Sequence, residues 1–112
     1  MKQISLCASL MAVVLSGCGP KAMDPRSFEQ LTGEFVHATL ALSPVAATAA
    51  GYHQHAGQSL DTLLDDYSTE VMARQRKHFT DWKARLAGVD RKSLYPQAQS
   101  DLDLMADTVE AA

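Results

Sequence analysis

The stretch "GYHQH" places His53 and His55 one residue apart. On an extended segment alternate side chains point the same way, so both imidazoles could reach one ion. Zinc needs a third or fourth ligand. Asp61, Asp65 and Asp66 lie within loop reach but at no recognisable ligand spacing. The helical H-E-x-x-H arrangement, with a general-base Glu between two histidines, is absent. Histidines in a polar turn are common, so no metal ligand is assigned, and His53 and His55 are kept as the only candidates. His37 and His78 stand singly on helical stretches and read as surface residues. Asp65-Asp66 and Asp101-x-Asp103 read as solvated turn and helix-start acids. No nucleophile elbow supports a Ser/His/Asp set, no glycine-rich loop could cradle phosphate, and no catalytic residue is assigned. Arg74-Gln75-Arg76-Lys77 reads as a solvated face. Trp82 with Phe79 and Leu86 has the spacing of a helical core stripe.

The other residue with a chemistry of its own is Cys18. Lys2 precedes an apolar run from Ile4 to Leu15. That run is too short to span a bilayer, which takes roughly 20 residues, and it reads as the core of a secretory leader. It ends in "LSGCGP", which resembles a bacterial lipobox. In such proteins the cysteine thiol takes a diacylglycerol, the chain is cut before it, and the new amine is acylated. The expectation is a lipoprotein signal peptide over 1–17 and a lipidated Cys18. Cys7 then leaves with the leader, and the mature chain has neither a free thiol nor a disulfide. Gly19 follows where an Asp would suggest inner-membrane retention. By resemblance to Gram-negative lipoproteins, the expected location is the cell envelope, anchored to the outer membrane and facing the periplasm.

These residues need a scaffold. Residues 18–24 read as a lipidated tether. Asp24-Pro25 is a cap-then-proline helix start. Phe28, Leu31, Phe35, Ala38 and Leu42 then repeat at three- and four-residue steps, predicting a helix from Pro25 to Leu42. Ser43-Pro44 repeats the device and starts a short alanine-rich helix that Gly51 ends. Tyr52 to Tyr67 is loop, with one helical turn available to Leu60, Leu63 and Leu64. Ser68 caps a long helix with Glu70 in its first turn, Val71, Gln75, Phe79, Trp82 and Leu86 on one face, and Gly88 as its stop. Pro96 opens a last helix lined by Ala98, Leu102, Met105 and Val109. No stretch alternates at period two over strand length, so the fold class is all-α over 25–112.

Composition narrows the function classes. The 112-residue chain has a formal net charge of −3. Losing Lys2 leaves nine basic residues against thirteen acidic ones, a formal −4. With no basic stripe to follow a phosphate backbone, nucleic acid is not expected as a partner. A domain of this size hides only about 60–65% of its unfolded surface, so the core is thin. The last helix carries no stop signal, which reads as an interrupted element completed by further chain.

"ALSPVAATAAGYHQHAGQSLDTLLDDYS" and "LAGVDRKSLYPQAQSDLDLM" together resemble the start of the bacterial family called domain of unknown function 885. The match rests on Pro44, Ala47-Thr48, Gly51, a loop with leucine and aspartate, Ser68 with its long helix, and Asp101-Leu102-Asp103. It covers about Phe28 to Val109. The resemblance implies a large helical lipoprotein that looks like a zinc metallopeptidase. The family's His-Glu motif lies far toward the C-terminus and has no counterpart here. Zinc is therefore implied for full-length relatives and for no residue of this chain. The expected role is an N-terminal helical segment that helps to frame a substrate cleft, inactive alone, with the remaining C-terminal part of the same fold as its partner. The alternative is a small stand-alone lipoprotein serving as a periplasmic binding or scaffold module.

Overall fold

The computed structural model describes residues 19–112; the expected leader and Cys18 lie outside the described residues. Four helices carry the fold: α1 (Pro25–Leu40), α2 (Pro44–Ala49), α3 (Thr69–Ala87) and α4 (Pro96–Ala111). A hairpin of β1 (Gln54–His55) and β2 (Gln58–Ser59) lies between α2 and α3, and a 3₁₀ turn at Arg91–Ser93 joins α3 to α4. The fold is all-α apart from that hairpin. No helix among the described residues is long and apolar enough to cross a membrane.

The helix starts follow from local chemistry. Asp24 Oδ1 accepts from the Ser27 backbone N–H at 3.1 Å, and Pro25 supplies the first turn. Ser68 Oγ accepts from the Val71 N–H at the start of α3. Pro96 opens α4, where a missing N–H leaves no partner unsatisfied.

Helix α1 ends at Leu40, two residues before the predicted Leu42. The residue before a proline is driven out of the α region, and Ser43 lies outside it at φ −126° and ψ 88°. The chain leaves the helix through tighter bonds, Leu42 N–H to Thr39 O and Ser43 N–H to Leu40 O. The C-terminus of α2 follows expectation. Gly51 has φ +82°, its N–H reaches Thr48 O and the Tyr52 N–H reaches Ala47 O, the paired bonds of a Schellman stop.

The hairpin was not predicted from the sequence. Its loop is Ala56-Gly57, with φ +47° and +78°, the two positive values of a type I′ turn. An alanine in the first of these positions does not advertise a turn, and two-residue strands are too short to show alternation.

Helices α1 and α3 run antiparallel. Glu34 pairs with Arg85, Phe35 meets Trp82 edge-on at 5.2 Å, Thr39 Oγ1 lies 3.1 Å from His78 Nε2, and Gln75 reaches Leu42 O. Helix α4 closes the other side, burying Ala98, Leu102, Met105 and Val109 as its spacing requires. These join Phe28, Leu31 and Phe35 of α1 and Trp82 and Leu86 of α3 in one cluster. Trp82 is thus core, with Arg85 stacked 4.5 Å above its ring. Among the described residues every buried side-chain N or O has a hydrogen-bond partner.

The segment before α1 is strapped to the α3–α4 connection. Lys21 N–H donates to Gly88 O at 2.9 Å and Asp90 N–H donates to Lys21 O at 3.0 Å. The Met23 N–H reaches Ser93 Oγ. Only Gly19 and Pro20 of the described residues precede this strap.

Candidate functional site: the hairpin loop and its cleft

The loop from Gly51 to Ser68 is held by side chains from both ends of the chain's middle third. His53 Nδ1 lies 2.7 Å from Asp61 Oδ1, and Thr48 Oγ1 donates to the same oxygen at 3.0 Å. These two hydrogen bonds, His53 first, hold the Asp61 carboxyl below the usual carboxylate range. His55 turns to a different partner, with its Nδ1 2.9 Å from the Tyr52 hydroxyl. The Tyr52 ring stacks on His37 of α1 at 4.7 Å. His37 is exposed, as the sequence suggested, and its ring also braces the loop.

This geometry separates the two candidate ligands. His53 answers to Asp61, and His55 answers to Tyr52. Among the described residues no three His, Cys, Asp or Glu side chains gather as a metal would need. The residues present do not fit a zinc site, and no chemistry is routed through one.

The carboxylates have structural tasks. Asp65 accepts from Ser43 Oγ at 2.9 Å and from the Val45 N–H at 3.1 Å. Ser43 occupies the cap position of α2 but makes no side-chain cap bond of its own. The cap is supplied from 20 residues away, and a negative charge sits at the helix N-terminus where it is favourable. Replacing Asp65 with alanine is expected to cost about 1 kcal/mol, as for loss of an N-cap. Urea denaturation followed by circular dichroism measures it, and Asp65→Asn should retain part of the bond. Asp66 Oδ1 accepts from the Ser68 N–H at 2.8 Å, an Asx turn into α3. Asp101 bonds Gln97, and Asp103 takes both Arg91 donors at 2.8 and 2.7 Å. That pairing holds Asp103 low and Arg91 high.

An open cleft of about 370 Å³ adjoins the loop. Leu42 and Pro44 form one wall, Leu63 and Leu64 another, and Val71, Arg74 and Gln75 of α3 the third. Leu64 is 83% exposed at its rim, and nearby Tyr67 is 77% exposed. Arg74 comes from the run read as a solvated face, whereas Lys77 of that run pairs with Asp81. Asp66, Gln58 and Gln75 also line it, so the cleft mixes apolar walls with one carboxylate, one guanidinium and two amides.

Between this end and the core, His78 is half-buried against Thr39. Burial holds its pKa below the ordinary value, with Asp81 opposing weakly. The unfolded chain then binds the extra proton first as pH falls. His78 contributes stability fully above pH of about 6.5, and that contribution is lost as pH drops toward the folded value. Melting temperatures from pH 8 to 5 are expected to decline below about 6.5, and His78→Gln should flatten that part of the curve.

Sequence reasoning placed both histidines in a loop after α2; the structure leaves His53 in that loop but puts His55 in strand β1 of the hairpin. It missed the remote cap by Asp65 and the stacking of Tyr52 on His37, whose partners are far apart in sequence, and also the short Tyr52–His55 bond, which no spacing motif marks. No family model, no curated protein and no solved structure matches the chain.

Proposed function

We propose that this chain is a lipid-anchored helical segment of the bacterial cell envelope, held to the outer membrane through Cys18 and facing the periplasm. In this reading it is the N-terminal part of a metallopeptidase-like lipoprotein of the kind called domain of unknown function 885, and its loop end frames a cleft without supplying catalysis. Zinc belongs to the remainder of such a protein, and the partner of this surface is that remainder.

The observation supporting the reading is the cleft. The segment Gly51–Ser68, which bears much of the family resemblance, also contributes the cleft's most exposed apolar wall, Leu63 and Leu64. Large apolar side chains left in solvent at a cleft rim call for a covering surface.

A second reading has its own support. Residues of α1, α3 and α4 form one buried cluster, and every buried side-chain N or O among the described residues has a hydrogen-bond partner, as in a self-sufficient module. Sedimentation and melting of the delipidated mature protein separate the two. The segment reading expects self-association and binding of a hydrophobic dye, both reduced in Leu64→Ser/Tyr67→Ser. A sharply melting monomer that binds no dye overturns it in favour of the stand-alone binding or scaffold module. Fractionation of cells carrying Cys18→Ser tests the anchor, with release of the protein from the membrane pellet as the expected result.

A further inference from the structure

We propose that the corner made by Lys21–Met23, the Gly88–Ser93 connection and Tyr95 rests on the phospholipid headgroups, and that the hairpin and its cleft point away from the bilayer. The inference rests on the reading of Cys18 as the lipidated residue, and it adds an orientation that the reading alone does not contain.

Chain length carries the argument. Lys21 is bonded on both sides of its peptide, to Gly88 O and to the Asp90 N–H, and Met23 is bonded to Ser93 Oγ. The tether is therefore not a free leash up to Asp24. Three Cα–Cα steps separate Cys18 from Lys21, a reach of about 11 Å even when fully extended. A lipid on Cys18 holds the strap within that distance of the headgroups.

The helices set where the rest must lie. Helix α3 leads away from the strap at Gly88 toward Ser68, and its 19 residues span about 28 Å. Helix α1 runs antiparallel to it and delivers α2 and the hairpin to that far end. A cleft lined by Leu42, Pro44 and Val71 is thus kept off the membrane by the length of a helix, a distance that a floppy tether would not enforce.

The chemistry of the corner agrees with this. Lys21 and Lys92 are exposed, and neither pairs with a carboxylate among the described residues. The nearby acids already have donors: Asp24 bonds Ser27, Asp90 bonds the Lys92 N–H, and Asp103 bonds Arg91. Tyr95, three residues after Lys92, is 40% exposed, with an apolar ring and a polar tip suited to a headgroup layer. The two free ammonium groups are matched to lipid phosphates and favour anionic lipid.

The test uses the mature acylated protein in vesicles of phosphatidylethanolamine and phosphatidylglycerol that contain a headgroup-linked quencher. A fluorophore is placed on Tyr95→Cys or, separately, on Gln54→Cys; Gln97→Cys serves if the first variant does not melt as the parent does. Mass spectrometry first confirms that Cys18 carries lipid. Unmodified Cys18 overturns the lipoprotein reading and this orientation with it. With Cys18 acylated, quenching is expected to be severalfold stronger at position 95 than at 54, and Lys21→Glu/Lys92→Glu should reduce it at 95. Equal quenching at both sites, or stronger quenching at 54, overturns the orientation and leaves the anchor standing.

Discussion

Trp82→Ala is expected to cost about 3–5 kcal/mol, the range for removing a large buried aromatic. The magnitude follows from what the indole holds. It is 7% exposed, meets Phe35 edge-on, lies under the Arg85 guanidinium, and so links α3 to α1. Its removal leaves a cavity at the contact between two helices whose remaining cross-links, Glu34–Arg85 and Thr39–His78, are exposed or only half-buried. Exposed ion pairs contribute little, so they cannot offset the loss. A domain of 94 described residues has a stability of roughly 5–14 kcal/mol. The substitution removes a large part of that, and the fall should be visible as a melting temperature lower by tens of degrees. A shift of only a few degrees in a circular dichroism melt would show that Trp82 lies at the surface.

Leu102→Ala and Leu104→Ala form the second contrast. Leu102 is 6% exposed and Leu104 is 68% exposed, although only one residue separates them. The first is expected to cost about 2–5 kcal/mol and the second less than about 0.5 kcal/mol. Two positions along a helix turn through about 200°, so one side chain faces α1 and α3 and the other faces away. The comparison reads the rotation of α4 directly. Similar losses at both sites in urea denaturation would mean that α4 buries a different face, or that Leu104 is covered by something outside the described residues.

Much of the scaffold was legible because its causes are local. Asp24-Pro25, Ser68 and Pro96 mark helix starts through bonds or torsions within one turn. The buried set Ala98, Leu102, Met105 and Val109 is a spacing that any helix turns into a face. Gly51 was legible because a left-handed stop leaves few alternatives to glycine. The hairpin was not, since Ala56 accepts a positive φ only where neighbours hold it there. His53 and His55 show the same division: one-residue spacing permitted a shared ion, and the loop closed with one ring on Asp61 and the other on Tyr52.

Taken alone, the order of residues determined an all-α class, four helix starts, the inward faces of α1, α3 and α4, and a loop position for His53. Those depend on chemistry within a few residues of chain. Tertiary structure decided that Asp65 would cap α2 from across the loop, that Lys21 would be strapped to Val89, and that Leu42 and Val71 would share a cleft. Each of these joins groups separated by 20 or more residues, and no periodicity encodes which distant donor will meet which acceptor until helix packing has brought them together.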